Sequence, residues 1–363
     1  MASPTDDEGT AAAPNAHLWS RDGFLGANAV ALRTGYTPTY LSASGPHAPR
    51  RLSVVDLKSA DYESAGGLPM EIMTSKTGVK ISVSRRREPM RFTIRNAEAD
   101  ELHFVQSGRC RFDTDFGSLE AGPHDFVGIP KAVSYRVEPL SPGLVILIVD
   151  SPEPLIFDTP APFGMVNFGA AVRRAAIAPG TAAKAGPHTL LIKSEDGITQ
   201  FEMAADPLPA IAQVGGAPPV WALNLASIVP VSYGKSGGPP AQFLSTADTR
   251  VMLYSLSARP GKRPPVHHNA DYDELVFYVA GPGAWGKVSE PGTLTWVPKA
   301  VTHHGPSEDV PEGYLAWLLE TRSTMRFTPA ALEKAAPMET GLYDFQPKTL
   351  AGTSIRQPPI KST

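Results

Sequence analysis

Cysteine is almost absent from this chain. Its 363 residues include one, Cys110, which excludes an internal disulfide and suits a reducing cytoplasm. Charge is also scarce and nearly balanced: 19% of residues are charged, the net charge is −3 and the pI is near 6.3. Neither a nucleic-acid partner nor a membrane partner is therefore expected. No apolar run approaches the roughly 20 residues of a membrane span. The opening MASPTDDEGTAAAPNA is acidic and has no apolar h-region of a secretory signal, so residues 1–16 read as a disordered tail. A cytoplasmic location is expected. Helical periodicity is scarce too. The best helix is FTPAALEKAA, residues 327–336, with Thr328 as N-cap and Pro329 at the first helical position.

Proline and glycine, by contrast, are plentiful, with 37 and 32 residues. They punctuate short β-branched and aromatic runs such as HFVQSGRCRFDT, HDFVGIP, GLVILIVDS, RVMLYSLSA, ELVFYVAG, TLTWVP and YLAWLLET. Runs of this length between turn residues predict a mainly β chain of sandwich or barrel type.

Two of these blocks recur. RNAEADELHFVQSG (95–108) aligns without a gap to HNADYDELVFYVAG (268–281), which places Glu101 on Glu274 at an offset of 173. GIPKAVSYRV (128–137) aligns to WVPKAVTHHG (296–305), with Pro130 on Pro298 at an offset of 168. The same two blocks in the same order in both halves predict duplicated β domains.

The paired blocks resemble the two motifs of cupins, which are double-sheet jelly rolls. The resemblance implies a mainly β bicupin: two jelly-roll β-barrel domains with few short helices. The domains are placed at 17–165 and at 166–363, the second with a C-terminal extension. More narrowly, RPPVHHNADYDE followed by the P…HHGP segment resembles the homogentisate 1,2-dioxygenase family, with Asn269 at the second motif position.

On the cupin pattern a mononuclear metal takes His267, Glu274 and His303, two imidazoles and one carboxylate with the opposite face left open. Each histidine has a neighbouring alternative, His268 and His304. Neighbours on a strand point to opposite faces, so one of each pair is expected to reach the barrel interior. The first copy carries Ile94, Arg95, Tyr135 and Arg136 where the second carries its four histidines. Of the motif ligands it keeps Glu101 alone, and it is expected to be structural.

By resemblance the cofactor is Fe(II), with Mn, Ni and Zn as alternatives. The activity implied is oxidative cleavage of a small aromatic diol or hydroxy-acid by O2. A homo-oligomer is likewise implied. The chain departs from the family at two substrate-contacting histidines. Val297 stands at one, and the segment VPVSYGKSGGPP (230–240) offers Tyr233 and Lys235 but no histidine at the other. A phenolic or carboxylated substrate other than homogentisate is therefore expected. Candidate substrate contacts are Arg263, His268, His304, Tyr233 and Lys235. Tyr272, Tyr278, Trp285, Trp296 and Cys110 read as packing residues. The same ligands would also serve a metal-dependent isomerase, decarboxylase or lyase, and loss of the metal would leave a small-molecule-binding bicupin.

Overall fold

A computed structural model of the chain describes residues 15–22, 25–33, 40, 42–157, 164–177, 185–230, 240–257, 266–281, 290–303 and 313–338. The described chain is mainly β with few short helices, as the spacing of turn residues predicts. Among these residues no helix is long and apolar enough to cross a membrane.

Two eight-stranded sheets form the centre. One contains Asp100–Ser107 between Asp125–Ile129 and Val145–Ser151; the other contains Asp273–Ala280 between Thr293–Val297 and Leu315–Thr321. They pack face to face through Leu102, Phe104, Phe126 and Leu147 on one side and Leu275, Phe277, Trp317 and Leu319 on the other. The ring centroids of Phe104 and Phe277 lie 5.7 Å apart, and those of Phe104 and Trp317 5.5 Å. The opposite faces of the same strands line two separate barrel interiors. Phe92, Val105, Cys110, Phe112 and Ile148 fill the first, and Met252, Tyr254, Val276, Tyr278 and Leu318 fill the second. Each central strand is thus buried on both faces, and its sequence shows little polar alternation.

The outer wall of each barrel uses strands from the other half of the chain. The hairpin Asn15–Asp22 and Leu25–Arg33 pairs in parallel with Val266–Asn269, with Leu18 beside His267 and Ser20 beside Asn269. The hairpin Ala185–Ser194 and Gly197–Ala205 pairs in parallel with Phe92–Asn96, with Leu191 beside Ile94 and Lys193 beside Asn96. Both pairings obey the offset of 173, so the duplication extends to the exchanged hairpins. Strand Arg50–Ser53 also joins the second barrel, and Trp221–Asn224 the first. A cut at 165/166 separates the motif blocks but not the strands that wall them.

Two local differences from the sequence reading have plain causes. The first strand begins at Asn15, inside the segment read as a tail, because its backbone is paired along the hairpin. The helix near 327–336 is confined to Pro329–Leu332; Phe327 and Ala336 are instead taken up in strand pairs. Its cap is as read, with the Thr328 side chain accepting from Ala331 N.

Candidate metal centre

His267 and His303 face each other across an isolated antiparallel bridge, exchanging backbone hydrogen bonds of 2.9 and 2.8 Å. Their rings lie 4.2 Å apart between centroids. Glu274 rises from the adjacent strand, and one donor atom from each of the three side chains lies within 4.8 Å of the others. A metal bonded at about 2.0–2.2 Å to each donor keeps them within about 4.4 Å of one another, so small side-chain rotations close the set.

The surroundings hold these donors in place. The His303 Nδ1–H donates to the Val301 carbonyl at 2.9 Å, which turns Nε2 toward Glu274 Oε2 at 3.2 Å. Asn269 Nδ2 donates to the same carboxylate oxygen at 3.4 Å. Burial disfavours charge on both partners, yet their mutual attraction wins. It holds Glu274 below its ordinary value and His303 above its own. Two imidazoles and a carboxylate, buried and converging, fit a divalent transition metal. Ala300, in the turn before His303, has φ +66°, and Ala132 in the other copy has φ +64°. That backbone shape favours glycine, so both alanines sit in it at a cost.

The structure brings together His267, Glu274 and His303. It turns His268 away from them: its Nδ1 lies 3.1 Å from His17 Nε2, and the rings meet edge to face. Burial and the neighbouring His17 and His303 hold His268 below its ordinary value. His304, Arg263, Tyr233, Lys235 and Trp285 lie outside the described residues. Trp296 is buried and donates to Asp273, while Tyr272 donates to Thr249 and Tyr278 to Gly281, so all three serve packing. Cys110 is fully buried in the first barrel, and burial pushes its thiol up to about 12.

The first copy keeps Glu101 alone of the motif ligands, yet it has an imidazole at another position: His103 Nε2, at the position of Val276, lies 3.1 Å from Glu101 Oε2. Tyr135, which replaces His303, donates to Glu101 Oε2 at 2.5 Å, and Asn96 donates to Oε1 at 2.9 Å. Lys193 completes the cluster, with Nζ 2.6 Å from Asp150 and 3.5 Å from Glu101. Burial would raise Glu101, but its hydrogen bond with His103, then Lys193, bring it down to about 2. Burial and the charge of Glu101 push Asp150 up to about 6.

Reading by motif also missed Glu320 and Tyr254. Glu320 stands directly opposite Glu274 on the next strand, 1% exposed, with no well-formed hydrogen bond to either carboxyl oxygen. Burial and the charge of Glu274 hold it well above its ordinary value, against the favourable Tyr254 hydroxyl. The one available signal was a glutamate closing the apolar run YLAWLLET.

The architecture is a pair of duplicated β barrels with few short helices. No protein-family profile matches the chain. A candidate dioxygenase of Saccharolobus solfataricus is 24% identical over 231 residues, covering 61% of this chain and 59% of that protein. Homogentisate 1,2-dioxygenase of Rhodopseudomonas palustris is 44% identical over 43 residues, covering 12% and 10%. The chain thus spans about three fifths of the first relative and a tenth of the second. Among solved structures, a cupin 2 conserved barrel domain protein from Leptotrichia buccalis aligns with a TM-score of 0.42 at 13% identity, covering 74% of this chain and 99% of that one. A point mutant of Bacillus subtilis oxalate decarboxylase aligns with a TM-score of 0.39 at 11% identity, covering 79% of each.

Proposed function

We propose that the second barrel of this bicupin holds Fe(II) on His267, Glu274 and His303, and that the protein is a dioxygenase cleaving a small phenolic or diol ring with O2. The observation that carries this reading is the convergence of two imidazoles and one carboxylate beside the apolar cluster that fills the second barrel. Such a donor set leaves open positions, as oxygen-activating iron sites require. Bound there, the iron would supply redox chemistry with dioxygen and Lewis acidity toward a substrate hydroxyl.

The protein's own residues do the rest. The Val301 carbonyl fixes the tautomer of His303, and Asn269 steadies Glu274. Met252, Val276, Tyr278 and Leu318 exclude water from the interior, which strengthens the electrostatic contacts made inside it. Val297, buried opposite Glu274, presents no imidazole to a substrate, which favours a ring other than homogentisate. A second reading, a metal-dependent decarboxylase, isomerase or lyase, draws on the additional carboxyl of Glu320, whose hard oxygens suit Mn(II).

Metal analysis of protein purified without added metal, combined with oxygen uptake, tests these readings. Iron at one per chain with oxygen consumed on aromatic diols supports the dioxygenase. Stoichiometric metal without oxygen uptake transfers support to the non-oxidative enzyme, and protein that takes up no metal refutes both.

A further inference from the structure

We infer that Glu320 is a second carboxylate of the metal centre, so that the second barrel offers its cation two imidazoles and two carboxylates. This rests on the metal-binding reading above and goes beyond the three ligands that the motifs supply.

The internal duplication carries the inference. In the first barrel, Glu101 and Asp150 are directly opposed on neighbouring strands; in the second, Glu274 and Glu320 occupy the same two places. Opposed residues of an antiparallel pair share a face, with Cβ atoms about 5 Å apart. Both pairs therefore point into their barrels, and all four residues are buried or nearly so. In the first barrel a cation bridges the pair: the Lys193 ammonium, 2.6 Å from Asp150 and 3.5 Å from Glu101. Lys193 arrives on the exchanged hairpin, beside Asn96. The corresponding hairpin of the second barrel brings Ser20 to the same register beside Asn269.

The second barrel thus keeps the two carboxyls and replaces the tethered ammonium with a neutral hydroxyl. At 1% exposure neither Glu320 oxygen makes a well-formed hydrogen bond, with the Tyr254 hydroxyl the one favourable group beside it, a condition that buried carboxyls avoid unless something else engages them. Glu320 lies outside the three donors already within 4.8 Å of one another. Its flexible side chain allows the carboxyl to approach a cation held by them. A dication with two carboxylates is neutral, as a buried centre favours. Added carboxylate oxygens also incline the site toward Mn(II) or Fe(II) over softer ions.

Mn(II) binding to the intact chain, read by its dissociation constant and its EPR zero-field splitting, tests this. Glu320→Gln keeps the shape and removes the charge; affinity should fall about tenfold or more and the splitting should change. Ser20→Lys restores the ammonium of the first barrel and should abolish Mn(II) binding while the protein stays folded by circular dichroism. If the wild type binds no Mn(II), the metal-centre reading itself fails. If it binds and Glu320→Gln matches it in affinity and splitting, Glu320 is no part of the centre. Should Glu320→Gln fail to fold, Ser20→Lys decides: Mn(II) binding at wild-type strength by a folded Ser20→Lys protein overturns the inference.

Discussion

Lys193→Met probes the charged cluster inside the first barrel. Methionine keeps most of the buried stem and removes the charge. Glu101 retains its hydrogen bonds from Asn96, His103 and Tyr135, so the loss falls on Asp150, whose Oδ1 already has no partner. Without the ammonium Asp150 escapes by taking a proton. Holding a carboxyl protonated costs about 1.4 kcal/mol for each pH unit above its own pKa. Starting from a value of about 6, the added cost is about 3 kcal/mol at pH 8 and below about 1 kcal/mol at pH 6. The sign follows from linkage. The variant raises the folded-state pKa of Asp150 further above its unfolded value, so the native state binds more protons and stability falls as pH rises. Urea unfolding at pH 6 and pH 8 measures the difference. Adding Asp150→Asn should recover most of the pH 8 loss. An equal loss at both pH values, or a loss below about 1 kcal/mol at pH 8, refutes the assignment of Lys193 as the counter-ion.

Three further outcomes are expected. His267→Ala and His303→Ala should each remove stoichiometric metal, while His268→Ala, which turns toward His17, should retain it; elemental analysis of the purified variants distinguishes them. Metal affinity should fall as pH drops through the raised value of His303, by about tenfold per unit, because proton and metal compete for Nε2; isothermal titration across pH 5–8 would show it. Ala300→Gly should stabilise the protein by roughly 0.5–1 kcal/mol without weakening metal binding, because the exposed residue sits at positive φ; an unchanged or lower melting temperature would count against strain there.

Much of the fold is legible in the sequence because its signals are local. Turn residues delimit the strands, and two blocks recur in register, so that His267 bridges His303 just as Ile94 pairs with Tyr135. The exchanged hairpins leave no such trace. Residues 15–33 pair with a strand more than 230 positions away, and a parallel pairing of that range has no turn between its partners to announce it. The choice within the first histidine pair was open for a related reason. Strand alternation says that one of His267 and His268 faces inward; the neighbouring hairpin shows which, by giving His268 a partner in His17.

Glu320 and Lys193 escaped notice because neither belongs to a motif. Leu315–Thr321 is buried on both faces, so an inward glutamate is not marked by alternation and reads as the end of an apolar run. Lys193 lies in the hairpin before the second copy yet acts in the first barrel, where no comparison of motif blocks would place it. Taken together, the two residues change the account of why the copies differ. Each barrel sets two acidic side chains opposite each other on adjacent strands, a pair that cannot remain buried and charged without a cation. The first supplies that charge covalently, with Tyr135 at the position of His303. The second sets Ser20 where the lysine would be and turns His267 and His303 inward, which on the proposed reading leaves its carboxyls to a cation from solution. On this view the hairpin residue, lysine or serine, decides which barrel can take a metal as much as the histidines do.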